Sequence, residues 1–232
     1  LPPPFIFGAA MKKMLFLLAL FLSVKMYADD PVRNINTFGK EYVPYNDKVV
    51  LVYKSSNFDE TSSNPIFKNG AAILENKSDD FIYRQKYELK EDGLYISETY
   101  QKIKVLLFFR AEKLVTYNKD LLKVPFPVKT GQQWNCERTE YCDGDSNKVS
   151  LSAKCVGMEE VTTEAGKFST MKLETNIKST DGSTNLVEEW IAPNVGIVKV
   201  RVKMYGGGLT GTIRDLLGLG EMNFELKQIK SR

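Results

Sequence analysis

"DFIYRQKYELKEDGLYISETY", residues 80–100, decides the fold class. Phe81, Tyr83, Tyr87 and Leu89 share one parity; Ile82, Arg84, Lys86 and Glu88 share the other. A period of two belongs to a strand with one buried face. Lys90-Glu91-Asp92-Gly93 is turn chemistry and returns the chain into "LYISETY". Pairing across that turn sets Leu89 beside Leu94, Tyr87 beside Ile96 and Tyr83 beside Tyr100. All six then lie on one face, as a half-buried antiparallel hairpin requires.

The same grammar continues outward. "KVLLFF" (104–109) reads as a continuous apolar strand buried on both sides, and "LVTYN" (114–118) as a short one. "GQQWNCERTEYC" (131–142) turns at "DGDSN" (143–147) into "KVSLSAKCVGMEEVTT" (148–163). "EAGK" (164–167), where Gly166 suits a positive φ, leads into "FSTMKLETNIKST" (168–180), and "DGSTN" (181–185) into the next strand. In "VEEWIAPNVGIVKVRVK" (187–203), Pro193 withholds a ladder donor and Gly196 permits a positive φ, so "APNVG" is a tight corner between two strands. Helix is tolerated at "NPIFKNGAAILEN" (64–76) and at "TIRDLLGLG" (212–220), where Ile213, Leu216 and Leu217 share a face. The expectation is a mainly β fold: an antiparallel meander curled into an open half-barrel over one or two short helices. Residues 43–54 and 126–137 echo each other through Pro44 and Pro127, which suggests a weak internal boundary near 120 within a single domain of residues 29–232.

Ahead of that domain, "MKKMLFLLALFLSVKMYA" (11–28) has the plan of a secretory signal: two lysines, a short apolar run and a small residue before "DD". The run from Met14 to Val24 falls short of the ~20 residues a spanning helix needs, so no stable membrane span is expected. Residues 1–10 read as upstream translation. The expected location is the periplasm or the exterior. The whole chain has 32 Lys+Arg and 29 Asp+Glu. Removing Lys12, Lys13 and Lys25 with the leader leaves 29 against 29. A neutral body with no basic stripe excludes nucleic acid as a partner.

The chain contains no histidine, which removes Ser-His-Asp and Cys-His catalysis and imidazole-based zinc sites. No catalytic, metal or cofactor site is expected. Of the three cysteines, Cys136 and Cys142 lie on one strand, about 20 Å apart when extended. With the turn centred on residue 145, Cys136 falls opposite 154 or 155, so the expected bridge is Cys136–Cys155 with Cys142 free. "YGGGLTGT" (205–212) lacks the Gly-Lys-Ser/Thr ending of a phosphate loop. Glu159-Glu160 and Glu188-Glu189 alternate across strand faces and read as solvated positions, Glu159 facing Lys172.

"VPFPVKTGQQW", "VGMEEVTTEAGKFSTMKLE" and "EEWIAPNVGIVKV" together resemble a run found in exported bacterial proteins of unknown function. Those families are similar in fold to lipoprotein-carrier proteins, whose open half-barrel wraps over helices. Gly131 and Trp134 match the first motif, Gly166 and Phe168 the second, and Trp190, Pro193 and Gly196 the third. Glu164 stands where the second motif usually has proline. The matched residues are turn glycines, corners and core aromatics, so the resemblance implies a fold and transfers no catalytic residue.

Two classes of function follow. One is a binding module holding a lipid, an acyl chain or an apolar segment of another envelope protein. Its concave face would carry Tyr83, Tyr87, Tyr100, Trp134 and Trp190, with Ile213, Leu216 and Leu217 on a flap (205–220) above it. The other is a structural or protein-interaction component of the cell envelope. Oligomeric state is not legible in the sequence.

Overall fold

Turn chemistry sets the strand lengths. Asn69–Gly70 and Asp143–Gly144 both have positive φ at each residue, 52° and 77° and then 52° and 88°, the conformation that two-residue hairpin turns demand. The computed structural model describes residues 36–232 apart from 59, 105–109, 208–214 and 216–217. Its strands are β1 (Thr37–Phe38), β2 (Val49–Ser55), β3 (Thr61–Lys68), β4 (Ala71–Lys77), β5 (Phe81–Leu89), β6 (Gly93–Lys104) and β7 (Arg110–Pro125). Then follow β8 (Val128–Lys129), β9 (Gln133–Cys142), β10 (Asp145–Thr163), β11 (Gly166–Ser179), β12 (Thr184–Ala192), β13 (Gly196–Tyr205) and β14 (Glu221–Ser231). A 3₁₀ turn covers Lys40–Tyr42.

Twelve of these strands close into an antiparallel barrel, and β1 with β8 forms a separate two-stranded ribbon. The expected half-barrel over short helices is thereby corrected, and two segments account for the difference. Residues 64–76 are not helical: they form the β3–β4 hairpin, turned by Asn69–Gly70. "EMNFELKQIKS", which received no assignment above, is β14. Its alternating Met222, Phe224 and Leu226 are buried, and it pairs with β13 on one side and β2 on the other. That double pairing removes the two free edges a half-barrel would expose. Among the described residues the buried side chains form two clusters, one around Tyr87 and Leu94 and one around Tyr53 and Phe224. Asp215 has helical geometry, but Ile213, Leu216 and Leu217 of the expected flap lie outside the described residues. So do the leader and residues 105–109 of the expected "KVLLFF" strand.

One seam is stitched differently. β7 meets β9 through Thr116↔Tyr141 and Tyr117↔Glu140. Elsewhere along that seam the Trp134 indole N–H donates to the Lys123 carbonyl, Arg138 Nε to the Asp120 carbonyl, and the Thr139 amide to Asn118 Oδ1. The corner after β12 matches its sequence reading. Asn194 and Gly196 have φ of 59° and 115°, the Asn194 amide donates to the Glu41 carbonyl, and a Cβ on Gly196 would stand 2.8 Å from the Pro44 carbonyl oxygen.

The hairpin of residues 80–100 pairs Leu89↔Leu94 and Tyr87↔Ile96 as expected, but Tyr83 faces Gln101 while Tyr100 faces Arg84. Ser97 is an extra residue on β6, and a one-residue shift moves everything beyond it to the other face. The expected disulfide fails for a related reason. The two-residue Asp143–Gly144 turn pairs Cys142 with Asp145, so Cys136 lies opposite Leu151. Cys155 is four residues farther on, about 13 Å along the strand, against a limit of ~7 Å for a bridge. All three cysteines are buried free thiols, and burial pushes Cys142 and Cys155 up to about 11. Without reductant, all three are expected to titrate in denaturant, and none to alkylate in the native protein at pH 8. A mass two daltons below the reduced value would contradict this register.

Candidate functional site

Backbone irregularities aim two opposite charges into the barrel. Between Leu94↔Val124 and Tyr95↔Leu122, Lys123 is an extra residue on β7. On β12, Glu189 lies beside the shift between Trp190 and Ile191, where β13 carries Val198 as its extra residue. Bulges re-aim side chains in this way. Lys123 Nζ donates to both Glu189 oxygens at 2.7 Å, and the two side chains are only 10% and 6% exposed. The Trp134 indole fixes the Lys123 backbone at 3.1 Å.

Tyrosines gather around this pair. The Tyr87 ring centroid is 5.9 Å from Lys123 Nζ. Tyr53 donates to the Ile197 carbonyl at 2.7 Å, and Tyr87 to Gln85 Oε1 at 2.5 Å. Burial, foremost, raises the phenol pKa values of Tyr53, Tyr83 and Tyr87, and the negative charge of Glu189 raises all three further. A carboxylate among tyrosine rings is the chemistry of a cation site. Here the chain supplies the cation itself through Lys123, so the site is complete without a ligand. Among the described residues no cluster suits a metal ion.

At one end of the interior is a second feature. Phe58, on the β2–β3 connection, stacks on Phe81 of β5 at 4.9 Å between centroids and on Phe224 of β14 at 6.4 Å. Phe81 in turn stacks on Tyr83 at 6.2 Å, with planes only 7° apart. Four near-parallel rings, drawn from two strands and one connection, line this mouth. Phe81 and Phe224 are buried, while Phe58 and Tyr83 are half-buried.

The five aromatics expected to share a face therefore separate. Tyr83 and Tyr87 face the interior, and buried Trp134 secures the β7–β9 seam. Tyr100 lies on the outside, under Arg84 and donating to Glu112. Trp190 is on the parity opposite Glu189, buried beneath Lys172 and Lys199 at 4.9 and 5.6 Å from its ring, with its indole N–H on Glu159. Lys172 spans Glu159, Glu174 and Glu188, so the acidic pairs are absorbed into ion pairs. Glu159 meets Lys172 diagonally, since its register partner is Thr170. Sequence reasoning missed Phe58 and Phe224 because Phe58 lies in a connection and β14 was unassigned. It missed the Lys123–Glu189 pair because bulges leave no periodic signal.

A family model described as DUF3108-like matches residues 46–206. No curated protein matches the chain. Among solved structures, it is similar to a protein from Parabacteroides distasonis described as a lipoprotein, at 16% identity and a TM-score of 0.39, covering 84% of this chain and 99% of that one. It is also similar to a protein from Bacteroides fragilis described as exported, with a YmcC-like fold, at 14% identity and a TM-score of 0.41, covering 84% and 100%. At that level the two structures carry no weight for function. Neither the family's description nor those of the two structures indicates an enzymatic activity.

Two measurements probe the interior. Breaking the buried pair with Lys123→Met or Glu189→Gln alone is expected to cost about 3–5 kcal/mol in denaturant unfolding. The double variant Lys123→Met/Glu189→Leu should recover most of that. Alkaline titration has a definite sign. Phenols whose folded pKa is raised contribute stability that is complete below the ordinary tyrosine pKa of about 10 and is lost as pH rises from there towards their folded values. The denaturation midpoint should fall above pH 10. Absorbance at 295 nm should show Tyr53, Tyr83 and Tyr87 ionising only as the protein unfolds.

Proposed function

The chain belongs to the DUF3108-like family, and from the geometry of its barrel we propose that it is an exported, non-catalytic binding module that takes an acyl chain at its aromatic mouth. The observation that carries this is the Phe58–Phe81–Phe224–Tyr83 stack. Phe58 is held there by ring contacts, on a connection and not on a strand. An apolar chain that displaced it would meet flat rings on two sides, in the packing that aromatic surfaces favour. Export is supported by the lysine pair, short apolar run and small residue of residues 11–28. A second reading, a structural or interaction component of the envelope, is favoured by the self-complete Lys123–Glu189 pair, which leaves the centre of the barrel nothing to bind.

Palmitate titrated against the mature protein, with binding read by native mass spectrometry, separates the two. Phe58→Ala would vacate the mouth at a modest cost in stability and is expected to bind palmitate at least tenfold more tightly than the unaltered chain. If neither protein binds palmitate, or if the substitution leaves binding unchanged, the mouth is not a site and the structural reading stands.

A further inference from the structure

The outer face of β9, β10 and β11 carries two adjoining depressions of about 400 and 410 Å³. The floor of each is β10, whose outward positions there are the exposed Ser150 and Ser152, between Lys148 and Lys154. Gln133 and Glu137 of β9 flank it on one side and Glu174, Asn176 and Lys178 of β11 on the other, and the first depression reaches on to Glu188 of β12 and to Arg201 and Lys203 of β13. The first depression meets β10 at Ser152–Lys154 and the second at Lys148–Ser150, so the two follow one another along the strand. Lys148 and Lys154 are six residues apart, about 20 Å, and Lys178 is the register partner of Ser150 between them.

The cations in and around these depressions are of two kinds. Lys172, Lys199, Arg201 and Lys203 each have a carboxylate within 3.4 Å. Lys148, Lys154 and Lys178 have none within ion-pair distance among the described residues. Six cations line the two depressions against three carboxylates, Glu137, Glu174 and Glu188, and this excess, with Lys148, Lys154 and Lys178 unpaired, attracts a linear polyanion. The uncharged groups between them narrow its chemistry. Serine hydroxyls and the amides of Gln133 and Asn176 both donate and accept, which suits sugar hydroxyls. Asn176 also holds its side-chain oxygen buried with no donor, a deficit that a rotation of the amide towards a ligand hydroxyl would relieve.

We infer that this trough binds an acidic glycan, a linear chain of sugars bearing carboxylates. The site lies apart from the aromatic mouth and stands independently of the function proposed above. Calorimetric titration with hexagalacturonate, at low and at physiological salt, tests it directly, with maltohexaose and hexaglutamate as comparisons. Hexagalacturonate is expected to bind, more weakly as salt rises, and at least tenfold more tightly than either comparison. The triple variant Lys148→Ser/Lys154→Ser/Lys178→Ser removes exposed cations with no carboxylate partner and so keeps its fold; it should bind at least tenfold more weakly. Phe58→Ala should leave this binding unchanged. Absence of hexagalacturonate binding, or equal binding by the triple variant, would overturn the assignment. Hexaglutamate binding as tightly as the glycan would also overturn it, and would mark the trough as a site for acidic peptide.

Discussion

Lys123 and Glu189 are buried inside the barrel as each other's partner. Removing one ion from water into a protein interior costs several kcal/mol, and a bidentate contact offsets this only with close geometry and few unmet hydrogen bonds. Both Glu189 oxygens accept from the same ammonium at 2.7 Å. The positions of several elements follow from that requirement. β7 must carry an extra residue at Lys123, the β12–β13 ladder must shift beside Glu189, and Trp134 must anchor the Lys123 backbone. The tyrosines that surround Glu189 then have to remain neutral, as their raised pKa values indicate.

Closure of the barrel supplies the low-dielectric surroundings in which the pair matters. β14 joins β13 to β2 and brings Phe224 into the mouth beside Phe81. Without that strand the sheet would have open edges, and Phe58 would lose one of its two stacking partners. The interior thus divides into a charged centre satisfied by the chain itself and an aromatic end where Phe58 stacks on Phe81 and Phe224.

The sequence revealed this architecture unevenly, for physical reasons. Alternation in β5 and the first residues of β6 was plain, since the buried face is aromatic and the turn is short. Tyr100 was misplaced because the extra Ser97 changes parity without any mark in composition. Asn69–Gly70 and Asp143–Gly144 carry the strongest short-range hairpin signal, and their positive φ values bear it out. Giving them that weight would have made 64–76 a hairpin and placed Cys136 opposite Leu151. β14 alternates Met222, Phe224 and Leu226 with polar residues, yet its role lies in a contact with β2, more than 160 residues away in the chain. The Lys123–Glu189 pair had no local signature at all, because both residues occupy irregular positions on distant strands.

The measurement that bears most directly on this account is a nitrogen-15 spectrum of the lysine side chains near neutral pH. Exposed ammonium protons exchange with water too quickly to give sharp correlations, whereas an ammonium held by a buried carboxylate exchanges slowly. The expected result is a long-lived Lys123 ammonium correlation that disappears in Glu189→Gln. A spectrum in which Lys123 exchanges as fast as the surface lysines would contradict the self-filled interior on which this description of the barrel depends.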